Sequence, residues 1–171
     1  MSNESSLIRD SVKLMIMRDL NGIDEQIAAY PDDASLWIVK PGISNSAGVL
    51  AIHAAGAMRH FIGSILGNSG FVRDRDAEFA SRGKSREEVR AVLKSAVREV
   101  GDALDSVSDE QIASAYPVPF GVAQVQARTS DVLVHMAVHL AYHLGQIDYH
   151  RRLLTADPKK IDILTTRALA R

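Results

Sequence analysis

The sequence predicts an all-α fold, an antiparallel-type four-helix bundle with long connections, on three observations. Four long segments place apolar residues every three or four positions, no segment reads convincingly as a strand, and no internal repeat is present. With 171 residues the chain can bury a real core without disulfide or metal staples, and one domain over residues 1–171 suffices.

In the first segment, from about Ser5 to Tyr30, Ile8, Val12, Met15, Ile16, Leu20, Ile23 and Ile27 form the apolar stripe. Pro31 ends it, and Trp37 in the following connection is expected to pack onto the bundle. Ser44, Asn45 and Ser46 offer caps for a second helix from Ala47 to Leu66. Its small residues, among them Gly48, Ala51, Ala54 and Gly56, leave little bulk around His53 and let a neighbouring helix come close. Phe71 to Gly83 reads as a long charged connection, suited to sheltering a site entrance.

Ser85-Arg-Glu-Glu88 is a capping-box pattern that opens a third helix to about Val107. Ser108-Asp-Glu-Gln111 repeats the signal for a short turn ending near Tyr116 and Pro117, and Val118 to Gly121 is a candidate pocket wall. Thr129, with Asp131 in the first turn, opens the fourth helix; Arg151 and Arg152 suit its negative pole. The tail, residues 155–171, reads equally as a short helix or a frayed end.

Composition narrows the function. Hydrophobic residues at 46% and charged residues at 24% are ordinary globular values, and a net charge of −1 gives no field for nucleic acid or acidic membranes. Cysteine is absent, which excludes disulfides, thiolate zinc sites and a cysteine nucleophile. No basic region followed by an apolar core opens the sequence and no apolar run reaches spanning length, so a cytoplasmic protein is expected.

The chemistry is concentrated in the fourth helix, where His135, His139 and His143 stand four residues apart in an apolar run. Four residues is one helical turn plus a small overshoot, so the imidazoles share a stripe. At 1.5 Å rise per residue, His135 and His143 start roughly 12 Å apart, too far to share an ion at bonds of about 2 Å. The pair is therefore His135/His139 or His139/His143, with a third ligand from another helix; His53, set among small residues, is the candidate. Ferritin-like sites are excluded because no glutamate is followed by histidine three residues later, and the zinc-protease pattern fails because Leu140 stands where glutamate is needed. Three neutral imidazoles leave an open coordination position, which suits activation of water or a thiol. Zinc, nickel, iron(II) and manganese are all admissible.

His53, followed far downstream by His139-x-x-x-His143-x-Gly145-Gln146, resembles the DinB-like superfamily, also called YfiT-like or bacillithiol S-transferase-type. The resemblance runs from the first helix to about Leu154. It implies a four-helix bundle of the DinB-like type, commonly homodimeric, with His53, His139 and His143 holding a divalent metal, and so selects the second of the two pairs. Many relatives have arginine where this chain has Leu144, which leaves that residue's anion-binding role without a counterpart. Relatives transfer low-molecular-weight thiols or isomerise with their help. The expectation is a metal-dependent enzyme that activates a thiol or water for attack on a small electrophile, with a non-catalytic metal-binding or stress-sensor module as the alternative.

Among the remaining residues, Gln146 orients a ligand or bonds a neighbouring helix, and His135 lines the pocket, carries protons or sits at the boundary. His60 is expected at the surface or the pocket rim, His150 in solvent near the helix end, and Gly145 at a close helix contact. Tyr142 and Tyr149 are expected to pack. Catalytic residues beyond the metal ligands are not specified by the sequence, and neither a nucleic-acid nor a membrane partner is expected.

Overall fold

The computed structural model describes residues 4–156 and, beyond them, 161 and 166. Among these the fold is all-α: α1 (Glu4–Ala28), α2 (Ala47–Met58), α3 (Arg75–Ala80), α4 (Arg86–Ser106), α5 (Asp109–Ala113) and α6 (Thr129–Thr155). No strand is present among the described residues, only isolated bridges between Ala115 and Arg128 and between Phe120 and Val125. The expectation for the tail falls mostly outside the described residues. No described helix is long and apolar enough to cross a membrane.

Four long helices make the bundle. α1 and α2 lie across the core from one another, and each packs against both α4 and α6. Of the stripe read in α1, Val12, Ile16, Leu20, Ile23 and Ile27 are buried and Ile8 is exposed; Val89, Leu93, Ala96 and Val100 of α4 and Val132, Leu133, Met136, Leu140 and Ile147 of α6 join them in the core. α2 differs, since all 12 of its residues are buried and it has no polar face. A helix apolar on every side must be surrounded, and α2 is packed by α4, α6, α3 and the turn that holds Trp37. Gly48 makes room for the Trp37 indole, whose ring carbons would lie 2.9 Å from any Cβ there, while Trp37 Nε1 donates to Lys84 O at 2.8 Å.

The caps explain the boundaries. Ser85 and Ser108 each form the full reciprocal capping box, with Glu88 and with Gln111. Ser46 accepts from the Val49 N–H and opens α2. The second helix does not run as one α-helix to Leu66: after Met58 it widens into a π-helical turn over Arg59–Ser64, a form often found at functional sites. Arg59 fixes this turn to α4 through two bonds to Glu99, at 3.0 and 2.8 Å.

Candidate metal centre

α2 and α6 bring three imidazoles together. His53, His139 and His143 each offer one ring nitrogen, and the three nitrogens lie within 4.8 Å of one another. His135, the alternative partner of His139, is outside this group; its ring stacks on His139 at 6.4 Å between centroids. His53 and His143 are buried and His139 is half-buried.

Hydrogen bonds fix which nitrogen of each ring is available. His53 Nδ1 donates to Glu78 Oε2 at 3.0 Å, leaving Nε2 as a lone-pair donor. His143 Nδ1 donates to Gln146 Oε1 at 2.8 Å, which likewise frees Nε2. That Nε2 faces His139 Nε2 at 3.1 Å. Two nitrogens on a tetrahedral ion with bonds of about 2.0–2.1 Å stand about 3.3 Å apart, so the pair has the separation that a shared cation requires. His139 Nδ1 is buried without a partner. Nδ1 lacks a partner in either tautomer, so the tautomers differ at Nε2, where a proton would bridge to His143. With the proton on Nδ1, two lone pairs confront each other across 3.1 Å, and a cation between them resolves the conflict. The donor set therefore fits a divalent metal.

Electrostatics favour the neutral form of His139 and His143. Burial pushes His139 down to about 4, with His143, His53, His135 and Arg73 acting in the same direction. Burial also lowers His143, opposed by its bond to Gln146, while His53 adds to the lowering. For Glu78, burial alone would raise the carboxyl, but bonds from Arg73 and His53 and their charges hold it below its ordinary value. The glutamate is anionic and balanced by Arg73, which grips it at 2.8 Å through both Nε and Nη2.

Glu78 and Arg73 are absent from the sequence-level site. They come from the stretch read as a charged connection, which folds back so that α3 packs on α2. The signal was Gly56, one turn after His53: a Cβ there would fall inside contact distance of Glu78 Oε1 and 2.8 Å from its Cδ. The small residues near His53 thus admit a carboxylate rather than only a neighbouring helix.

The triad opens onto a cavity of about 390 Å³ whose wall includes His53 and His139. The π-helical turn contributes His60 and Phe61, the Val118–Val122 loop contributes Phe120, and α6 contributes His135 and Met136. Phe61 and Phe120 meet edge to face at 4.8 Å, and Tyr116 Oη, donating to Phe61 O at 2.6 Å, pins the loop to the turn. A larger cavity, about 450 Å³, is lined by Lys40, Leu50, Gln146, Tyr149 and His150 and includes none of the three imidazoles.

A family model described as a protein of unknown function, DUF1572, matches residues 5–166. The chain belongs to the DUF1572 family. No curated protein matches it.

Three expectations change in this DUF1572 member. His150 is buried, not solvated: Tyr30 Oη donates to its Nδ1 at 2.6 Å and its Nε2 donates to Ile38 O at 2.8 Å. Gly145 has nothing within 4 Å of where a Cβ would stand, so no described helix closes on it, and Tyr142 and Tyr149 are exposed. Arg151, near the far end of α6 as read from the sequence, is buried and donates from Nε to Gln26 Oε1 at 2.6 Å. His60 lies at the cavity wall, and Gln146 bonds His143 of its own helix.

Proposed function

We propose that the protein is a metal-dependent enzyme of the DinB-like type, in which His53, His139 and His143 hold a divalent ion beside a small-molecule cavity. The observation that carries this reading is the convergence of three ring nitrogens from α2 and α6, two of them with their other nitrogen engaged by Glu78 and Gln146. The DUF1572 match, together with His139-x-x-x-His143-x-Gly145-Gln146, supports kinship with the DinB-like superfamily. Zinc, nickel, iron(II) and manganese all suit the imidazole set. Such an ion would act as a Lewis acid, acidifying a low-molecular-weight thiol or a water for attack on a small electrophile.

The chain's own residues supply the rest. Glu78 and Arg73 hold the His53 ring, Gln146 holds His143, and Phe61, Phe120 and Met136 give the cavity an apolar wall. His135, in the cavity wall one turn before His139, is the side chain placed to accept the proton given up by a thiol or water. The reading keeps the cytoplasmic setting expected from the sequence. It also includes a homodimer, supported by the exposed stripe of Val134, Val138, Tyr142, Tyr149 and Leu153 on α6; light scattering that finds only monomer at micromolar concentration removes that part.

Elemental analysis of the purified protein beside a His139→Ala variant tests the ligand set. Stoichiometric metal in the parent and little in the variant is the expected result, and equal metal in both rules the set out. A second reading, a non-catalytic metal-binding or stress-sensor module, is favoured by a cavity wall that carries no carboxylate. Loss of fold on chelation, without thiol-dependent turnover in the loaded protein, decides for it.

A further inference from the structure

The cavity beside the triad carries charge of one sign. Its wall holds two guanidinium groups, Arg73 and Arg75, and no aspartate or glutamate. The whole chain is balanced, with 20 basic residues against 21 acidic ones, so the local excess is not a consequence of composition. Glu78 is occupied by Arg73 Nε and Nη2, and Arg73 Nη1 has no hydrogen-bond partner among the described residues. Arg75 has no acidic partner among the described residues. Its guanidinium lies over the Phe79 ring at 4.8 Å, and that ring packs on His53 at 4.5 Å between centroids. The cation is thus held by an aromatic face at the entrance to the triad, and its hydrogen-bonding edge is uncommitted.

We infer that this cavity receives a small carboxylate or phosphate carried on a flat apolar body. The anion seats on Arg75 and Arg73 Nη1, and the body lies along Phe61, Phe120 and Met136. The inference rests on the reading of the triad as a working site and adds to it the class of substrate. A guanidinium recognises a carboxylate or phosphate with paired N–H donors, which a neutral ligand of the same shape cannot exploit.

Calorimetric titration of benzoate, phenylphosphonate and benzamide tests this, with zinc-loaded and EDTA-treated protein and with Arg75→Gln. Benzoate and phenylphosphonate are expected to bind, with benzamide about tenfold weaker. Arg75 is exposed and bonded to no acid, so Arg75→Gln keeps the fold; it is expected to weaken the anions roughly fivefold and leave benzamide unchanged. Benzamide binding as tightly as benzoate overturns the inference, as does failure of both anions to bind at millimolar concentration. Anion binding that disappears with EDTA and ignores Arg75→Gln also overturns it, because the anion would then be only a ligand of the ion. Anion binding that persists after EDTA and responds to Arg75→Gln sustains it even where elemental analysis finds no metal, so the two readings fail separately.

Discussion

α6 carries two buried polar clusters with opposite hydrogen-bond economies. At its far end, His150 has both ring nitrogens satisfied by Tyr30 and Ile38, while Arg151, Gln26 and Asp148 bond one another. These bonds all run between parts of the protein, so the His150 ring needs nothing from outside. Two turns earlier, His139 and His143 turn ring nitrogens towards each other and towards His53, and His139 Nδ1 has no partner. Burying polar groups costs free energy unless they are bonded, so the closed cluster stabilises the fold, and the open one leaves a need that the proposed ion would meet. Histidine on a helix therefore says little alone; where its second nitrogen goes decides its role.

The sharpest way to break this comparison is to remove one histidine from each cluster and ask about metal. His139→Ala is expected to lower zinc affinity by at least about a hundredfold, since it deletes a ligand outright, whereas His150→Ala should leave affinity within a few-fold of the parent. Competition with a chromophoric chelator measures both. Equal losses in the two variants would mean that the clusters do not divide as described.

Stability should separate them in the reverse direction. His150→Ala strands the buried Tyr30 hydroxyl and removes the donor to the Ile38 carbonyl, a loss of about 2 kcal/mol by urea denaturation. His139→Ala in metal-free protein removes a half-buried ring that already lacks one partner, and should cost less than half of that. A metal-free His139→Ala variant that is the less stable of the two would assign the triad a structural role.

Gly56→Ala sharpens the contrast within the open cluster. The added methyl must displace the Glu78 carboxylate, leaving His53 without its orienting acceptor. A tenfold loss of metal affinity, about the effect of removing such an outer partner, is expected from the same chelator competition. Unchanged affinity would show that Glu78 does not set the His53 tautomer.

These cases also show what the sequence could and could not reveal. Helices α1, α4 and α6 follow from their apolar stripes, and the starts of α4 and α5 from capping boxes, because those signals act within a few residues. The His139–His143 pairing was half legible, since spacing restricted the choice to two pairs and only the family resemblance selected one. Glu78 was hidden because its contact with His53 spans 25 residues and sits in a stretch that looks like a polar loop. His150 was misjudged because its partner Tyr30 is 120 residues away, and no local pattern marks a phenol that will be buried beside it.

The smallest effect concerns protons at the closed cluster. Burial lowers the His150 pKa from the ordinary 6.5, opposed by its bond to the Ile38 carbonyl. A base whose folded pKa is depressed binds fewer protons folded than unfolded, so its contribution to stability is fully present above about 6.5 and is lost as pH falls through the folded value. His60, His139 and His143 shift in the same direction, so the wild-type pH profile alone cannot isolate His150. The difference between wild type and His150→Gln can, because the other three cancel. The carboxamide keeps a donor and an acceptor but has no proton to gain, so the stability gap should narrow between about pH 7.5 and about pH 5. Urea midpoints measured at both pH values check this; a gap that stays constant or widens towards acid would mean that the His150 ring accepts its proton without leaving Tyr30, and that the closed cluster is less closed than its hydrogen bonds make it.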